Sequence, residues 1–358
     1  MSVSQWPLDV DLTALQAPER IDRYARQAVM RGIGVKGQRR LREARVSIVG
    51  VGGLGSVSAL QLAAMGVGHL RLVDHDVVDI SNLHRQSLYD MSSLGYPKVE
   101  AASRRLGAIN PEVKTEPLSI SVNSETADDA VRGVDVVIDG LDGLKPRYDV
   151  NRACLMREVP YVFGSALESY GNASSILPHT TPCLECILGG ISDEGQPTCE
   201  TVGVYPQILA IIASIQVKEA LDIILGHKPV LAGQLLFADI NSMEVQTFAM
   251  EKVPSCPSCG APLTQTVASP SRVVQLCGSN SFSIASNRNV LLDLEECARA
   301  LSSRFKVKMR TSFAITIEHS PRASVVIMKT GNMLIHGAEE EGDALSIYHE
   351  IMSFISDC

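Results

Sequence analysis

The sequence predicts an α/β protein with a doubly wound, mostly parallel sheet, followed by a smaller α+β module. An apolar strand at Arg45–Val49 runs into a glycine-rich turn at residues 50–55 and then into an apolar helix at residues 56–65. A second apolar strand at His69–Val73 completes a βαβ unit of about thirty residues. A third apolar run, at residues 134–139, is typical of a central parallel strand and indicates that the sheet continues beyond this unit.

The remaining elements of the first unit follow in chain order. Residues 19–42 carry many charges and predict two helices around a turn that contains three glycines. Further helices are predicted at residues 98–109, 151–157 and 206–225, and further strands at residues 160–165, 235–239 and 245–250. Residues 180–203, rich in Gly, Pro and Cys, are expected to form a polar loop. Because that loop is longer than ordinary connections, it is expected to be functional or pinned by a metal.

The composition shifts at residues 262–270, and we expect two units, 1–263 and 264–358. The second unit is expected to be a small α+β module with a docking role, because it carries no catalytic constellation. Its expected elements are a strand at 273–276, a helix at 292–304, strands at 313–317 and 325–327, and a helix at 340–355.

Composition and charge exclude several classes of function. The 358 residues are 45% hydrophobic and 20% charged, which is ordinary for a globular protein. A net charge of −8 argues against nucleic acid and against an anionic membrane surface as partners. The N-terminus lacks the pattern of a secretory signal, and polar residues interrupt the most apolar stretch, residues 202–226. We therefore expect a cytoplasmic protein without a membrane span.

The glycine turn predicts a Rossmann-like nucleotide site. Glycines let the backbone turn sharply and approach a phosphate, and the helix that follows directs its free N–H groups at the anion. Asp74 ends the second strand, where a carboxylate accepts hydrogen bonds from ribose hydroxyls, although an ordinary turn acid is the alternative. The candidate nucleotide-binding residues are Gly50, Gly52, Gly53, Gly55, Asp74, Asp76, Asn82, Arg85, Gln86 and Lys98.

The residues beyond Asp74 indicate a triphosphate rather than a dinucleotide. Arg85 can fork onto phosphate oxygens, and Lys98 opens a helix and offers a compact charge nearby. Asp142 follows the apolar strand at residues 134–139, at its carboxyl end, where a carboxylate suits a Mg²⁺ ion that bridges phosphates. A helix cap is the alternative role for Asp142.

Four of the nine cysteines form two C-x-x-C pairs, which predict a tetrahedral Zn²⁺ site. Four buried, reduced thiols are the alternative. Of the others, Cys154 and Cys297 are expected in buried helices, Cys277 at a strand end and Cys358 at a frayed terminus. The predicted zinc ligands are Cys183, Cys186, Cys256 and Cys259.

These motifs, in this order, resemble the MoeB/ThiF (HesA/MoeB/ThiF) and ubiquitin-activating-enzyme superfamily over about residues 15–260. The segments that carry the resemblance are Arg23-Tyr24-Ala25-Arg26-Gln27, the Gly50-to-Gly55 turn, Asp74-His75-Asp76, Asn82-Leu83-His84-Arg85-Gln86, Gly95-Tyr96-Pro97-Lys98 and the two cysteine pairs. More loosely, Ile335-His336-Gly337 and the helix that contains Tyr348 resemble a module appended to some archaeal and bacterial members. The chain is thus similar to archaeal-type enzymes that activate ubiquitin-like modifiers.

The resemblance implies ATP-dependent adenylation of the C-terminal glycine of a small β-grasp protein. It implies that Asp74 holds the ribose, that Asn82, Arg85 and Lys98 meet the phosphates, and that Asp142 holds Mg²⁺. It also implies a homodimer, because Arg26 matches an arginine that reaches into the partner subunit's site. One departure is that Asp142 is followed by Gly143, where the family usually has Asn.

Cys199 matches the family's acceptor cysteine, which implies a thioester with a ubiquitin-like modifier after adenylation. The alternative is activation of a sulfur carrier for molybdopterin, thiamine or tRNA thiolation, and an idle loop thiol is the third interpretation of Cys199. Either carrier is expected to end in Gly-Gly, and a conjugating enzyme is a further expected partner.

An NAD-dependent oxidoreductase fits the glycine turn and Asp74 but not the cations or the cysteine pairs, and a non-catalytic scaffold leaves the phosphate-facing residues unexplained.

Overall fold

The structure is a computed structural model that describes residues 22–260, 273–276, 281–284, 286 and 291–355. The expected boundary between residues 263 and 264 lies outside the described residues. So do residues 19–21 of the first expected helix and the two cysteines Cys277 and Cys358.

The first unit is built on an eight-stranded sheet in the order β3-β2-β1-β4-β5-β6-β7-β8. The first five strands are parallel and the last three are antiparallel, so the doubly wound, mostly parallel sheet expected from the sequence is confirmed. Its strands are β1 (Arg45–Val49), β2 (His69–Val73), β3 (Lys114–Leu118), β4 (Val136–Asp139), β5 (Tyr161–Leu167), β6 (Tyr170–Ile176), β7 (Gln234–Asp239) and β8 (Glu244–Ala249).

Helices cover both faces of the parallel strands. Alternate residues of one strand enter different cores: Ile48 of β1 packs in one apolar cluster, and its neighbour Val49 packs in another. Both residues are fully buried, as in a sheet sandwiched between two helical layers. The helices of this unit are α1 (Ala25–Ala28), α2 (Gly34–Glu43), α3 (Gly53–Met65), α4 (Lys98–Ile109), α5 (Ala127–Val131), α6 (Leu144–Arg157), α7 (Leu184–Leu188), α8 (Cys199–Val202) and α9 (Pro206–Leu225).

The C-terminal module contains a six-stranded antiparallel sheet in the order β11-β12-β13-β14-β10-β9, which confirms an α+β module. Three of the six strands were predicted from the sequence; β10, β11 and β14 were missed, because pairing with neighbouring strands defines them more than composition does. The elements are β9 (Val273–Leu276), β10 (Ser281–Ile284), α10 (Leu294–Leu301), β11 (Lys306–Arg310), β12 (Ala314–Glu318), β13 (Ser324–Met328), β14 (Met333–His336) and α11 (Glu341–Ile355).

Several local expectations in the first unit need correction. Helix α6 begins at Leu144 rather than at residue 151, and Gly34 and Gly37 lie in α2 rather than in a turn before it. Helix α3 begins at Gly53 rather than at residue 56, so the last two glycines of the turn belong to the helix. The segment 180–203 is not a continuous loop, because α7 and α8 lie within it. Among the described residues, no helix combines the length and the apolar character needed to cross a membrane.

Candidate functional site

The glycine turn lies between the ends of β1 and β4 and is held by backbone contacts. Gly50 has a φ of +86°, which favours glycine, and its N–H donates to the carbonyl of Val73 at 2.7 Å. A Cβ on Gly50 would lie 2.5 Å from backbone atoms of Gly140, and one on Gly55 would lie 1.8 Å from the carbonyl oxygen of Gly50. These two glycines therefore permit close packing of backbone on backbone.

Gly52 differs from its neighbours in the turn, because a Cβ there would meet only the side-chain amide of Gln86, at 3.7 Å. A Cβ on Gly53, by contrast, would lie 2.9 Å from Leu209. Gln86 is buried, and its side-chain oxygen has no hydrogen-bond partner among the described residues. Buried polar groups usually find partners. The unpaired side-chain oxygen of Gln86, beside the open backbone of Gly52, is therefore consistent with a polar ligand at this turn.

Asp74 is fixed directly after β2. One carboxylate oxygen accepts from the N–H of Val51 at 2.8 Å, and the other accepts from the N–H of Asp76 at 2.8 Å. A carboxylate has about four acceptor positions, so two remain for ligand hydroxyls. The side chain thereby joins the glycine turn to the segment that carries the other candidate residues.

Asp76 and Lys98 form an ion pair beside Asp74. Lys98 Nζ lies 2.8 Å from Asp76 Oδ2, and the backbone N–H of Lys98 donates to the carbonyl of Asp76 at 2.9 Å. Burial lowers the pKa of Lys98, but the charges of Asp76 and Asp74 outweigh burial and raise it above its ordinary value. Burial raises the pKa of Asp76, while Lys98 outweighs burial and holds that pKa well below the usual range. Both groups are therefore charged at neutral pH.

Asn82 and Arg85 lie on a short turn after Asp79, which caps it by accepting from the N–H of Ser81 at 2.8 Å. Arg85 Nη1 donates to the carbonyl of Ser81 at 2.7 Å, and its side chain is partly exposed. Asn82 accepts from the backbone of Asp79. Within the described part of the chain, the guanidinium is held by this surface carbonyl, a contact that an anion can replace.

The loop after β4 carries Asp142, whose side chain is exposed. The buried side chain of Arg147 holds this loop in place. Arg147 was not among the residues predicted from the sequence. Arg147 Nε donates to Asp139 Oδ2 at 2.9 Å, and its Nη2 donates to the carbonyls of Leu141 and Gly164. Arg147 and Asp139 are both buried, so they form an interior ion pair beneath the loop. Arg147 lies in the first half of α6, five residues after Asp142, and no local sequence pattern distinguishes it from an ordinary helix residue.

Cys199 opens the short helix α8, where Thr198 forms a capping box with Thr201. Its thiol lies 3.5 Å from the carbonyl oxygen of Ala166. Burial raises the pKa of Cys199 and the charge of Asp142 raises it further, while Arg85 and Arg147 act in the opposite direction. The raised pKa keeps Cys199 a neutral thiol at neutral pH, and Asp142 and Arg85 are among the charged groups within its electrostatic reach.

The four cysteines of the C-x-x-C pairs meet in one cluster. Their sulfurs all lie within 4.8 Å of one another, with neighbouring contacts of 3.4, 3.5 and 3.9 Å. A zinc ion bound tetrahedrally at a Zn–S length of about 2.3 Å separates its sulfurs by about 3.8 Å, so the four thiols fit zinc. The four cysteines that could hold the ion are Cys183, Cys186, Cys256 and Cys259.

Arg26 is exposed on α1, apart from the other candidate residues. Its neighbour Gln27 donates to the carbonyl of Met65 at the C-terminal end of α3. The glycine turn lies at the opposite end of that helix. At a rise of about 1.5 Å per residue, α3 is about 20 Å long, so Arg26 does not join the site of its own chain.

Residues 24–258 match the model of the ThiF family, and the chain belongs to that family. A sulfur carrier protein ThiS adenylyltransferase of Bacillus subtilis is 34% identical over 334 residues, which are 92% of this chain and 98% of that protein. A SAMP-activating enzyme E1 of Haloferax volcanii is 37% identical over 242 residues, which are 67% of this chain and 89% of that enzyme. A crystal structure of E. coli MccB with succinimide shares the fold with a TM-score of 0.60 and 21% identity, covering 70% of this chain and 76% of that chain.

Membership of the MoeB/ThiF and ubiquitin-activating-enzyme superfamily is therefore confirmed. The expected class of enzyme is also confirmed, because the relatives are named as adenylyltransferases and as an activating E1. An alignment of 334 residues is longer than the first unit, so the likeness to the Bacillus subtilis protein extends into the C-terminal module.

Proposed function

We propose that this protein adenylates the C-terminal glycine of a small ubiquitin-like protein with ATP and then takes that protein onto Cys199 as a thioester. The observation that carries the proposal is that Asp74 accepts from Val51 in the glycine turn, beside the Asp76–Lys98 pair, while the open backbone of Gly52 faces Gln86, the neighbour of Arg85. An acid for the ribose and cations for the phosphates, beside a turn that opens a helix, suit a nucleoside triphosphate.

In the first step, a carboxylate oxygen of the terminal glycine attacks the α-phosphorus of ATP. The bond between that phosphorus and the bridging oxygen breaks, and pyrophosphate leaves. Two anions must approach each other, so Lys98 and Arg85 stabilise the transition state by offsetting their charge. Binding the phosphates requires Lys98 to share its charge between Asp76 and the ligand, and Arg85 to leave the carbonyl of Ser81.

In the second step, the sulfur of Cys199 attacks the carbonyl carbon of the acyl-adenylate, the C–O bond to AMP breaks, and the thiol proton passes to solvent. The proximity of Cys199 to Asp142 and Arg85 supports this assignment. The raised pKa of Cys199 means that the step needs a base or a change in the surroundings of the thiol.

Two metals belong to the proposal. Asp142, exposed beside Cys199 and Lys98, would hold Mg²⁺, which when bound supplies positive charge to the phosphate oxygens. The four-cysteine cluster would hold a structural Zn²⁺. It joins α7 to the chain after β8, and Arg152 strengthens the junction with contacts to Glu185 at 2.5 Å and to Ser258 at 3.1 Å.

Substitution of one zinc ligand tests the metal. We expect Cys183→Ser to lose about one equivalent of bound zinc and to melt at a lower temperature than the parent protein, since a structural zinc site contributes to folding. Cys154→Ser, at a buried cysteine outside the cluster, is the matched control and keeps its zinc. Zinc is measured by elemental analysis, and a full equivalent in Cys183→Ser would rule out this site.

Activation of a sulfur carrier is the alternative outcome of the same adenylation step. It is favoured by the names of the Bacillus subtilis relative and of a molybdopterin-synthase adenylyltransferase of Salmonella typhimurium that is 32% identical. The Haloferax volcanii relative favours modifier activation instead. In both cases the partner is a small carrier that ends in Gly-Gly.

Two further parts of the proposal concern assembly. We propose a homodimer in which Arg26, exposed and outside the site of its own chain, reaches the site of the second copy. We also propose that the C-terminal module contributes to docking of the carrier or of a conjugating enzyme.

Exchange of labelled pyrophosphate into ATP tests the adenylation step, with candidate Gly-Gly carriers added one at a time. We expect exchange only when a carrier is present. Asp142→Ala should reduce it by about a hundredfold or more, because it removes the carboxylate that would hold Mg²⁺, and with the ion the positive charge on the phosphates. Absence of exchange with every Gly-Gly carrier would favour a scaffold without catalysis.

Cys199→Ala separates the two steps. We expect it to keep exchange and to lose a thiol-sensitive covalent adduct with the carrier, as seen on non-reducing gels. Cys297→Ala, at a buried cysteine of α10, is the control and keeps both. A Cys199→Ala protein without exchange would mean that the cysteine is structural.

A further inference from the structure

The sheet of the C-terminal module is buried on both faces. In β13, Val325 and Ile327 pack against the module's helices, as part of one cluster. Val326 and Met328 point to the opposite face, yet they are only 3% and 1% exposed. Because alternate residues of a strand face opposite sides, a second layer must cover this face.

The covering layer comes from the nucleotide-binding unit. Val77 packs against the cluster on this second face, which consists of four residues. We call this surface the inner face of the module; its residues are Ala314, Val326, Met328 and Leu334.

Polar contacts surround this apolar contact. Thr330 Oγ1 donates to the carbonyl of Ser119 at 3.2 Å, and Ser312 Oγ lies 3.5 Å from the buried carboxylate of Glu100. The hydroxyls of Ser121 and Ser283 lie 3.4 Å apart. The module therefore meets the end of β3 and the first turn of α4 as well as Val77.

Val77 lies in a narrow ribbon that carries both members of the Asp76–Lys98 pair. It forms an antiparallel bridge with Pro97, the residue before Lys98. The N–H of Lys98 donates to the carbonyl of Asp76, and the N–H of Val78 donates to the carbonyl of Tyr96, each at 2.9 Å. A shift of Val77 would therefore move the backbone of Asp76 and of Lys98 together.

The inner face also brings an ionisable side chain, His336, near the carboxylates of this segment. His336 extends the face along β14, and its Nδ1 lies 2.7 Å from the hydroxyl of Ser281. Burial lowers the pKa of His336, although the charges of Asp76 and Asp79 partly offset this effect. The imidazole thus lies within electrostatic reach of the two carboxylates.

We propose that the inner face of the C-terminal module positions Asp76 and Lys98 for the triphosphate by packing against Val77. The module then sets the affinity of its own chain for ATP, beyond any role in docking. The inference rests on the proposed function, because it requires that this site binds ATP. Val326 acts here as a positioning residue.

Two neighbouring valines of β13 provide a matched test. Val326→Ala removes two methyl groups from the inner face, and Val325→Ala removes the same two from the face that meets the helices. Both variants are compared by urea unfolding, and Mg·ATP binding to the full-length protein is measured by calorimetry without a carrier. We expect Val326→Ala to raise the Kd for ATP about two- to tenfold, while Val325→Ala leaves it unchanged at a similar loss of stability.

A second variant preserves shape. Thr330→Val removes the hydrogen bond to Ser119 with little change in volume, and we expect a smaller rise in the Kd in the same direction. Rescue by Val326→Ile, which keeps the face filled, would support positioning by packing. Equal Kd values for parent, Val326→Ala and Thr330→Val would overturn the inference and leave the proposed function intact. An equal loss of ATP affinity in Val325→Ala and Val326→Ala would do the same. A parent protein that binds no ATP would instead overturn the proposed function.

Discussion

Two loops lie side by side at the carboxyl edge of the first sheet, and they are held in different ways. The loop after β1 is held by backbone packing: Gly50 and Gly55 lie so close to each other and to Gly140 of the neighbouring loop that no Cβ fits. The loop after β4 is held by distant side chains, because Arg147 contacts Asp139 and Gln216 donates to the carbonyl of Asp139 at 2.8 Å. The loop after β1 therefore depends on the absence of side chains, and the loop after β4 depends on a buried ion pair.

The largest expected effect is at the backbone-packed loop. Gly55→Ala places a Cβ where the carbonyl of Gly50 lies, and backbone cannot yield as a flexible side chain does. We expect a loss of about 4 kcal/mol or more in the free energy of unfolding, measured with urea. Gly107→Ala, in the exposed part of α4 with no atom within 4 Å, is the control and should gain about 0.5–1 kcal/mol. A Gly55→Ala protein as stable as the parent would contradict close packing as the role of this glycine.

The next effect is at the loop held by the ion pair. Arg147→Met leaves the carboxylate of Asp139 buried without its partner, and we expect a loss of about 3–5 kcal/mol. Adding Asp139→Asn removes the uncompensated charge and should restore much of that loss, since burial already raises the pKa of this carboxyl. If the double variant is no more stable than Arg147→Met, the pair does not hold this loop.

The two loops also differ in how much the sequence predicts. The glycines follow an apolar strand and precede a helix, so a local pattern was enough to place the turn and Asp74. Arg147 and Gln216 act on residues 8 and 77 positions away, and no local pattern distinguishes such residues from ordinary helix residues. The sequence therefore predicted the parallel sheet and the glycine turn, but not the ion pair that supports Asp142.

The same limit applies to the cysteines and to the module. The C-x-x-C spacing predicted a four-cysteine cluster that the structure brings together across about seventy residues. The three short strands β10, β11 and β14 escaped prediction, since pairing with neighbouring strands defines them more than composition does. The contact of the module with Val77 follows from tertiary packing, which a single sequence does not encode locally.

The smallest effect concerns Cys199, which is within electrostatic reach of Asp142 in the loop after β4. Its raised pKa keeps the thiolate fraction low, so alkylation at about pH 8 should be slower than that of an ordinary exposed cysteine and should still accelerate above about pH 9. Asp142→Asn removes one cause of the raised pKa and should speed the reaction. The rates are followed by mass spectrometry of the peptide that contains Cys199. A rate that levels off below about pH 8 would contradict a raised pKa.

The most direct test of the central claim is a crystal structure of the protein with ATP and Mg²⁺. In the present structure, Lys98 contacts Asp76 and Arg85 contacts the carbonyl of Ser81. We predict that both cations will lie within hydrogen-bonding distance of phosphate oxygens, with the ribose on Asp74. A complex in which nucleotide binds elsewhere while Lys98 and Arg85 keep their present contacts would contradict the account.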